Sequence, residues 1–220
     1  MVDEDFVRRR TIEVALRDGS RVRIRPITPD DKDHLLDGFR RLSPESRYRR
    51  FFSPIDELTP DQLRDLTEVD YADRFAYLAF AMDVPGAPVA VGVARYVRLP
   101  EQPNVAEAAV TVVDDYHLRG LGTLLLQALG AVALENGIER FRAYSLDTNR
   151  PLRELAASLG AEVHHEPGGM IRIEADLPRQ ADELRGTPLY ALFRALARGE
   201  EPERLRFREL WGDRKRLPAP

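Results

Sequence analysis

The chain contains no cysteine. Disulfides, thiolate nucleophiles and cysteine-ligated zinc are therefore excluded. Its four histidines, His34, His117, His164 and His165, fall at no familiar metal-ligand spacing. His164 and His165 adjoin, but neighbours on a strand point to opposite faces, so they are ill placed to chelate one ion. No metal is expected. No segment approaches the ~20 consecutive apolar residues of a membrane span, and no membrane partner is expected. The N-terminal run MVDEDFVRRRTIEVALRDG puts charges on both sides of Phe6 and has no apolar stretch of the kind a secretory signal needs. A cytoplasmic location is the expectation.

Excess positive charge is also lacking. The 33 Lys and Arg stand against 37 Asp and Glu, a formal net charge of −4. That balance argues against a nucleic-acid partner, which needs clustered cations for phosphate contacts. The positive charge is nearly all arginine and is grouped at Arg8–Arg10 and Arg47–Arg50. Both groups read as solvated surface.

What is present suits a soluble globular fold, with 43% hydrophobic and 32% charged residues in 220. IEVALRDGSRVRIRPI reads as two strands turning at Asp18-Gly19. Three short helices are predicted next. The first begins at Thr28-Pro29 and has Leu35, Leu36, Phe39 and Leu42 on one face; the others begin at Ser43-Pro44 and Thr59-Pro60. FAYLAFAMD and PVAVGVARYVRL, parted by Pro85-Gly86, read as an antiparallel pair. VAEAAVTVVDD reads as a further strand. A long apolar helix then runs to Gly137, and a strand, a helix ended by Gly160 and two strands around Gly168-Gly169 follow.

The organisation expected is an extension over residues 1–10, a domain over 11–178 and an appendage over 179–220. In the appendage Leu189, Leu192, Phe193 and Leu196 recur at helical spacing. This helix is expected to dock on the domain or on a second subunit, and a homodimer through residues 187–198 is one outcome.

The informative stretch is AEAAVTVVDDYHLRGLGTLLLQAL. An apolar strand leads through a turn to Gly120 and Gly122, which open an apolar helix. Glycines there allow close backbone approach, and the free N–H groups of a helix start favour an anion. A dinucleotide fingerprint fails because Leu125 stands where the third small residue is needed. A Walker loop fails for want of Gly-Lys-Ser/Thr.

The turn H-L-R-G-L-G resembles the pyrophosphate loop Q/R-x-x-G-x-G/A of the GNAT acetyltransferases, with His117 at the Gln/Arg position. The resemblance extends over residues 12–177. It implies an α/β fold with a mixed, mostly antiparallel twisted sheet whose central strands splay, flanked by helices. It further implies acetyl-CoA as cosubstrate, its pyrophosphate on His117, Leu118, Arg119, Gly120, Leu121, Gly122 and Thr123. Pantetheine would pair with Val110–Val113, chiefly Val112 and Val113. Asn149 would contact the pantetheine or serve as a plain N-cap. The tyrosine many members use as general acid is missing from Leu152 to Leu155.

RIRPITPDD, LSPESRYRRFF, VDYADR, GVARY and AEAAVTVVDDYHLRGLGT together resemble bacterial protein-lysine acetyltransferases that modify acyl-CoA synthetases. In that subgroup a glutamate in the strand before the loop acts as base, and Glu107 matches it. Lysine's ammonium, with a reference pKa near 10.4, must lose a proton to attack a thioester, at a cost of about 4–5 kcal/mol near pH 7. Burial in AEAAVTVV would suit a carboxylate to that task, since desolvation favours its protonated form. The other outcome is a solvent-facing glutamate paired with Arg95.

Asp114 and Asp115 are expected to make local turn hydrogen bonds, and Tyr116 to pack near the cofactor. Asp70, Tyr71 and Arg74 are expected either to line the acceptor side or to form a loop salt bridge. Two other functions share the same residues: a small-molecule amine acetyltransferase, and a non-catalytic acyl-CoA-binding regulatory module.

Overall fold

The computed structural model describes residues 4–177, except Ala87 and Leu159. The expected helix over residues 187–198 therefore lies outside the described residues. A helix, α1 (Glu4–Arg9), precedes the sheet. It lays Phe6 against Tyr71, ring centroids 5.1 Å apart, and Arg10 beyond its end pairs with Glu135 at 2.6 Å.

The strands are β1 (Ile12–Ala15), β2 (Arg21–Pro26), β3 (Arg74–Ala81), β4 (Val89–Leu99), β5 (Gln102–Val112), β6 (Arg140–Leu146), β7 (Glu162–Glu166) and β8 (Met170–Asp176). They form one eight-stranded sheet in the order β1-β2-β3-β4-β5-β6-β8-β7. Among the described residues every pairing is antiparallel except β5 with β6. The predicted hairpin at Asp18-Gly19 forms, with Gly19 at φ +89°, a value that glycine adopts without steric cost.

Between β2 and β3 lie α2 (Lys32–Arg40), α3 (Pro44–Phe51) and α4 (Pro60–Thr67). Their starts follow from side-chain caps. Ser43 accepts the N–H of Ser46 at the head of α3, and Thr59 exchanges bonds with Gln62 at the head of α4. Before α2 the chain makes one tight turn over Pro29–Asp31. Asp31 there is 2% exposed and accepts two bonds from Arg25, at 2.6 and 2.7 Å.

The two sheet faces bury different helices. Phe75, Tyr77, Tyr96, Ala106 and Ala108 pack under α5 (Leu121–Glu135), whose buried residues lie nearly all round the helix. Gly92 permits this approach: a Cβ there would meet Leu125 Cδ1 at 3.0 Å and Leu121 Cδ2 at 3.3 Å. Ala76, Leu78, Phe80 and Ala90 pack on the opposite face with Leu35 of α2 and Leu63 and Leu66 of α4. A register shift between Ala79 and Phe80 marks an irregularity that brings Ala90 to this second face. The remaining helix, α6 (Arg150–Ser158), buries Ala156 in a smaller cluster with Ile171 and Ile173 of β8.

Candidate active site

The site begins where two strands part. β5 and β6 run parallel but pair only at Val105 with Arg140, Ala106 with Phe141 and Glu107 with Arg142. Beyond Glu107, β5 continues to Val112 alongside β4, and β6 continues to Leu146 alongside β8. The central strands therefore splay, as the resemblance to the GNAT acetyltransferases implies, and Glu107 stands at the vertex.

The backbone lining this opening has a defined polarity. Val113 N–H donates to Val91 O at 3.0 Å. Neighbours of opposite parity, Val110 and Val112, thus turn their N–H and C=O groups away from β4 and into the gap. The Val112 carbonyl is met there by the His117 ring, Nε2 to O 2.9 Å.

The loop beyond β5 makes one tight turn over Asp114–Tyr116 and reaches α5 through Leu118 at φ +60° and Gly120 at φ +89°. Gly120 is the N-cap of α5. No side chain caps the helix, and its first turn carries neither acid nor base. The N–H groups from Leu121 through Thr123 are thus unclaimed by a cap, in the arrangement that binds anions. A Cβ on Gly122 would meet only Val112 Cγ2, at 3.8 Å, so the protein's own packing does not demand glycine there. Leu118 is 86% exposed in a backbone region that costs a branched side chain energy.

Two tethers fix the loop. Arg119 donates to Asp18 at 2.8 Å and lies 4.4 Å from the Tyr116 ring centroid, tying the loop to the β1–β2 turn. Asp114 accepts from the Ser43 N–H (3.0 Å), the Ser43 hydroxyl (2.8 Å) and the Ser46 hydroxyl (2.9 Å). Asp114 thus binds the head of α3 and makes no merely local turn bond. Burial alone would push its carboxyl up, but these bonds and His117 hold it below the usual carboxylate range. Asp115 is exposed and stands 3.8 Å from Arg41.

Glu107 differs from expectation. Its side chain is exposed, because β5 lies at the splayed edge and the helices cover only part of its face. Arg95 does not salt-bridge it; Arg95 pairs with Asp65 at 3.5 Å. The register puts Glu107 opposite Val97 and puts Arg95, Ala109 and Thr111 on the same face. α3 turns Arg50 towards this face as well. A narrow cleft of about 60 Å³ opens between α2–α4 and β4–β5, lined by apolar side chains together with Arg50, Arg95 and Thr111. The Arg47–Arg50 group is therefore not uniformly solvated surface. Burial and the neighbouring Arg95 push Arg50 down to about 10, and Glu107 opposes that shift.

Other candidates sit elsewhere. Asp70 accepts the N–H groups of Ala72, Asp73 and Arg74, Tyr71 donates to Ile27 O, and Arg74 pairs with Asp65. These are loop bonds outside the cleft. Asn149 donates to the Ser145 hydroxyl at 3.0 Å, and its Oδ1 lies 3.4 Å from the Leu152 N–H, which is the N-cap arrangement. His164 of β7 lies within a group with Glu162 and Glu174, in which Glu174 already accepts from Arg142 and Arg172.

Residues 21–162 match the acetyltransferase (GNAT) domain model. This chain belongs to the GNAT acetyltransferase family. It is therefore an acyltransferase. The acetyltransferase Pat of Mycolicibacterium smegmatis is 37% identical over 76% of this chain, which spans 49% of the length of that relative. An acetyltransferase of Pseudomonas aeruginosa is 34% identical over 70% of this chain and 81% of its own. The GNAT domain of S. lividans PAT superposes with a TM-score of 0.71 at 31% identity, covering 80% of this chain and all of that one. A cAMP-binding acyltransferase from Mycobacterium smegmatis gives 0.56 at 33% identity, covering 88% and 57%. Among GNAT folds of lower identity is a putative acetyltransferase of Salmonella typhimurium solved with acetyl-CoA, at 16% and a TM-score of 0.57 over 73% and 96%. No helix among the described residues is long and apolar enough to cross a membrane.

Proposed function

We propose that this GNAT acyltransferase moves the acetyl group of acetyl-CoA to an amine, a lysine of an acyl-CoA synthetase-like protein, with Glu107 as general base. The observation that carries the proposal is the parting of β5 from β6 at Glu107, with uncapped backbone N–H groups at the far end of the gap.

Acetyl-CoA supplies the acyl thioester. In this reading its pyrophosphate rests on the loop from His117 to Thr123, whose free N–H groups lie at the start of α5. Its pantetheine amides pair with the gap-facing groups of Val110 and Val112, extending the ladder that β6 relinquishes. The His117 ring on the Val112 carbonyl is a stand-in for that partner and swings out on binding. Leu118, exposed at positive φ, covers the cofactor. Asn149 fixes the start of α6 and with it the far wall of the gap.

At the vertex the amine nitrogen attacks the thioester carbonyl carbon. A C–N bond forms, the C–S bond breaks, and a gap-facing N–H group of β5 stabilises the developing oxyanion. Glu107, directly or through a water, takes the proton the amine loses. The departing thiolate takes its proton from solvent, since the helix after Asn149 offers no tyrosine. Exposure gives Glu107 access to the incoming amine, and the acceptor itself supplies the desolvation.

A free amine is the second reading, because the cleft beside Glu107 sets Arg50, Arg95 and the Thr111 hydroxyl among apolar walls, polar groups that a small acceptor could meet. Coenzyme A release is to be followed with a purified acyl-CoA synthetase and, in parallel, with a panel of small amines. Release with the synthetase, and an acetyl-lysine in it, supports the protein acceptor. Release only with small amines moves the assignment to the second reading.

A further inference from the structure

The cleft beside Glu107 brings two arginines together among apolar walls. Arg95 has a side chain 11% exposed, and its carboxylate partner, Asp65, is 59% exposed and shared with Arg74. Arg50 makes no ion pair with any described residue; its guanidinium lies 5.1 Å from the Phe51 ring. Near Arg50 stand Arg95 and Glu107, and near Arg95 stand Asp65, Arg74 and Glu107; Arg74, outside the cleft, also lies near Asp70. Beside them the Thr111 hydroxyl is buried without a hydrogen-bond partner, and it lines the same cleft. Every other lining residue is apolar or glycine. Walls of that kind strengthen an ion pair formed between them.

We propose that Arg50 and Arg95 form a recognition site for a carboxylate carried by the acceptor. This inference rests on the reading that the Glu107 face receives the amine. Two guanidinium forks and a hydroxyl match the acceptor-only oxygens of a carboxylate, which arginine engages in bidentate fashion. The register sets the spacing. Glu107 lies opposite Val97 and diagonal to Arg95, about 7–8 Å along the sheet. An amine at Glu107 and a carboxylate at Arg95 are thus several bonds apart, as in a lysine beside an acidic residue or in free lysine. The apolar walls take up the methylenes between them. A neutral acceptor would leave Arg50 without an ionic partner, and such a site rejects the wrong ligand as well as holding the right one.

The test compares two pairs of acceptors on the full chain. One pair is a peptide with its lysine flanked by glutamate and the same peptide flanked by glutamine. The other is free lysine and 1,5-diaminopentane, which lacks the carboxylate. The wild type is expected to favour the acidic member of at least one pair by about tenfold or more in kcat/KM. Arg50→Gln and Arg95→Gln should bring that ratio close to one, and Arg50→Glu should turn the preference towards an arginine-flanked peptide. The pair that shows the effect identifies the source of the carboxylate. Calorimetric affinities of the same ligands, with coenzyme A present, read the preference without turnover. Equal affinities and equal kcat/KM within both pairs overturn the inference, as does a preference that survives in both arginine variants. Absence of coenzyme A release with every amine counts against the proposed function instead, and the calorimetry still decides this one.

Discussion

Glu107 and Arg142 are register partners at the last rung of the parallel ladder between β5 and β6, yet they do not neutralise each other. The Arg142 guanidinium is drawn to Glu174 at 2.9 Å and to Gln102 at 3.1 Å. The ladder ends there, and the carboxylate at its end is left facing solvent and the cleft. In the proposed reading, base, cofactor gap and acceptor cleft meet at this one rung.

The His117 ring occupies the Val112 carbonyl on the open edge of β5. If that carbonyl is the pantetheine's acceptor, the ring must leave on binding. His117→Ala is predicted to bind acetyl-CoA as tightly as the wild type or more tightly, measured by calorimetry. A tenfold weaker Kd would make the histidine a cofactor ligand in its own right.

Gly120 and Gly92 serve different ends, and their alanine variants should separate. Gly120→Ala forces a Cβ into φ +89°, at about 1–2 kcal/mol, and disturbs the first N–H groups of α5. Lower stability together with weaker acetyl-CoA binding is expected. Gly92→Ala drives a Cβ against Leu125 and Leu121, an overpacking worth about 1–3 kcal/mol. Denaturant melts should show that loss, with α5 moved away from β4.

Asp114 ties the loop between β5 and α5 to α3, and its carboxyl is held low in the folded chain. A carboxylate depressed below its unfolded value of about 3.9 stabilises the fold above that pH, and the contribution fades as pH falls through the folded value. Asp114→Ala is predicted to lose about 1–3 kcal/mol at neutral pH. Its stability should also decline less steeply than the wild type's below pH 4. Asp114→Asn keeps an acceptor oxygen without the charge and should fall between the two. Urea midpoints across that pH range read all three.

Much of this was legible in the chain. The Thr-Pro and Ser-Pro starts, the Asp-Gly turn and the alternation of strands locate the elements, and H-L-R-G-L-G opens α5 where its glycines require. The rest depends on distant partners. That Asp114 holds Ser43, 71 residues away, cannot be read from DDY, which looks like an ordinary turn. AEAAVTVV reads as a buried strand, yet Glu107 is exposed, the other outcome the sequence allowed, though without the Arg95 pairing that went with it. The inward turn of Arg50 was hidden in an arginine-rich run that looks like solvated surface; the apolar Phe51 and Phe52 beside it were the available signal.

The central claim is that Glu107 is the base at the vertex of the gap. The direct measurement is kcat for acetyl transfer by Glu107→Gln alongside its Kd for acetyl-CoA. The account predicts a fall in kcat of about 10²–10⁴-fold with cofactor affinity unchanged, because the pyrophosphate loop and the β5 edge are untouched. A Glu107→Gln enzyme that binds acetyl-CoA and turns over at the wild-type rate would contradict it.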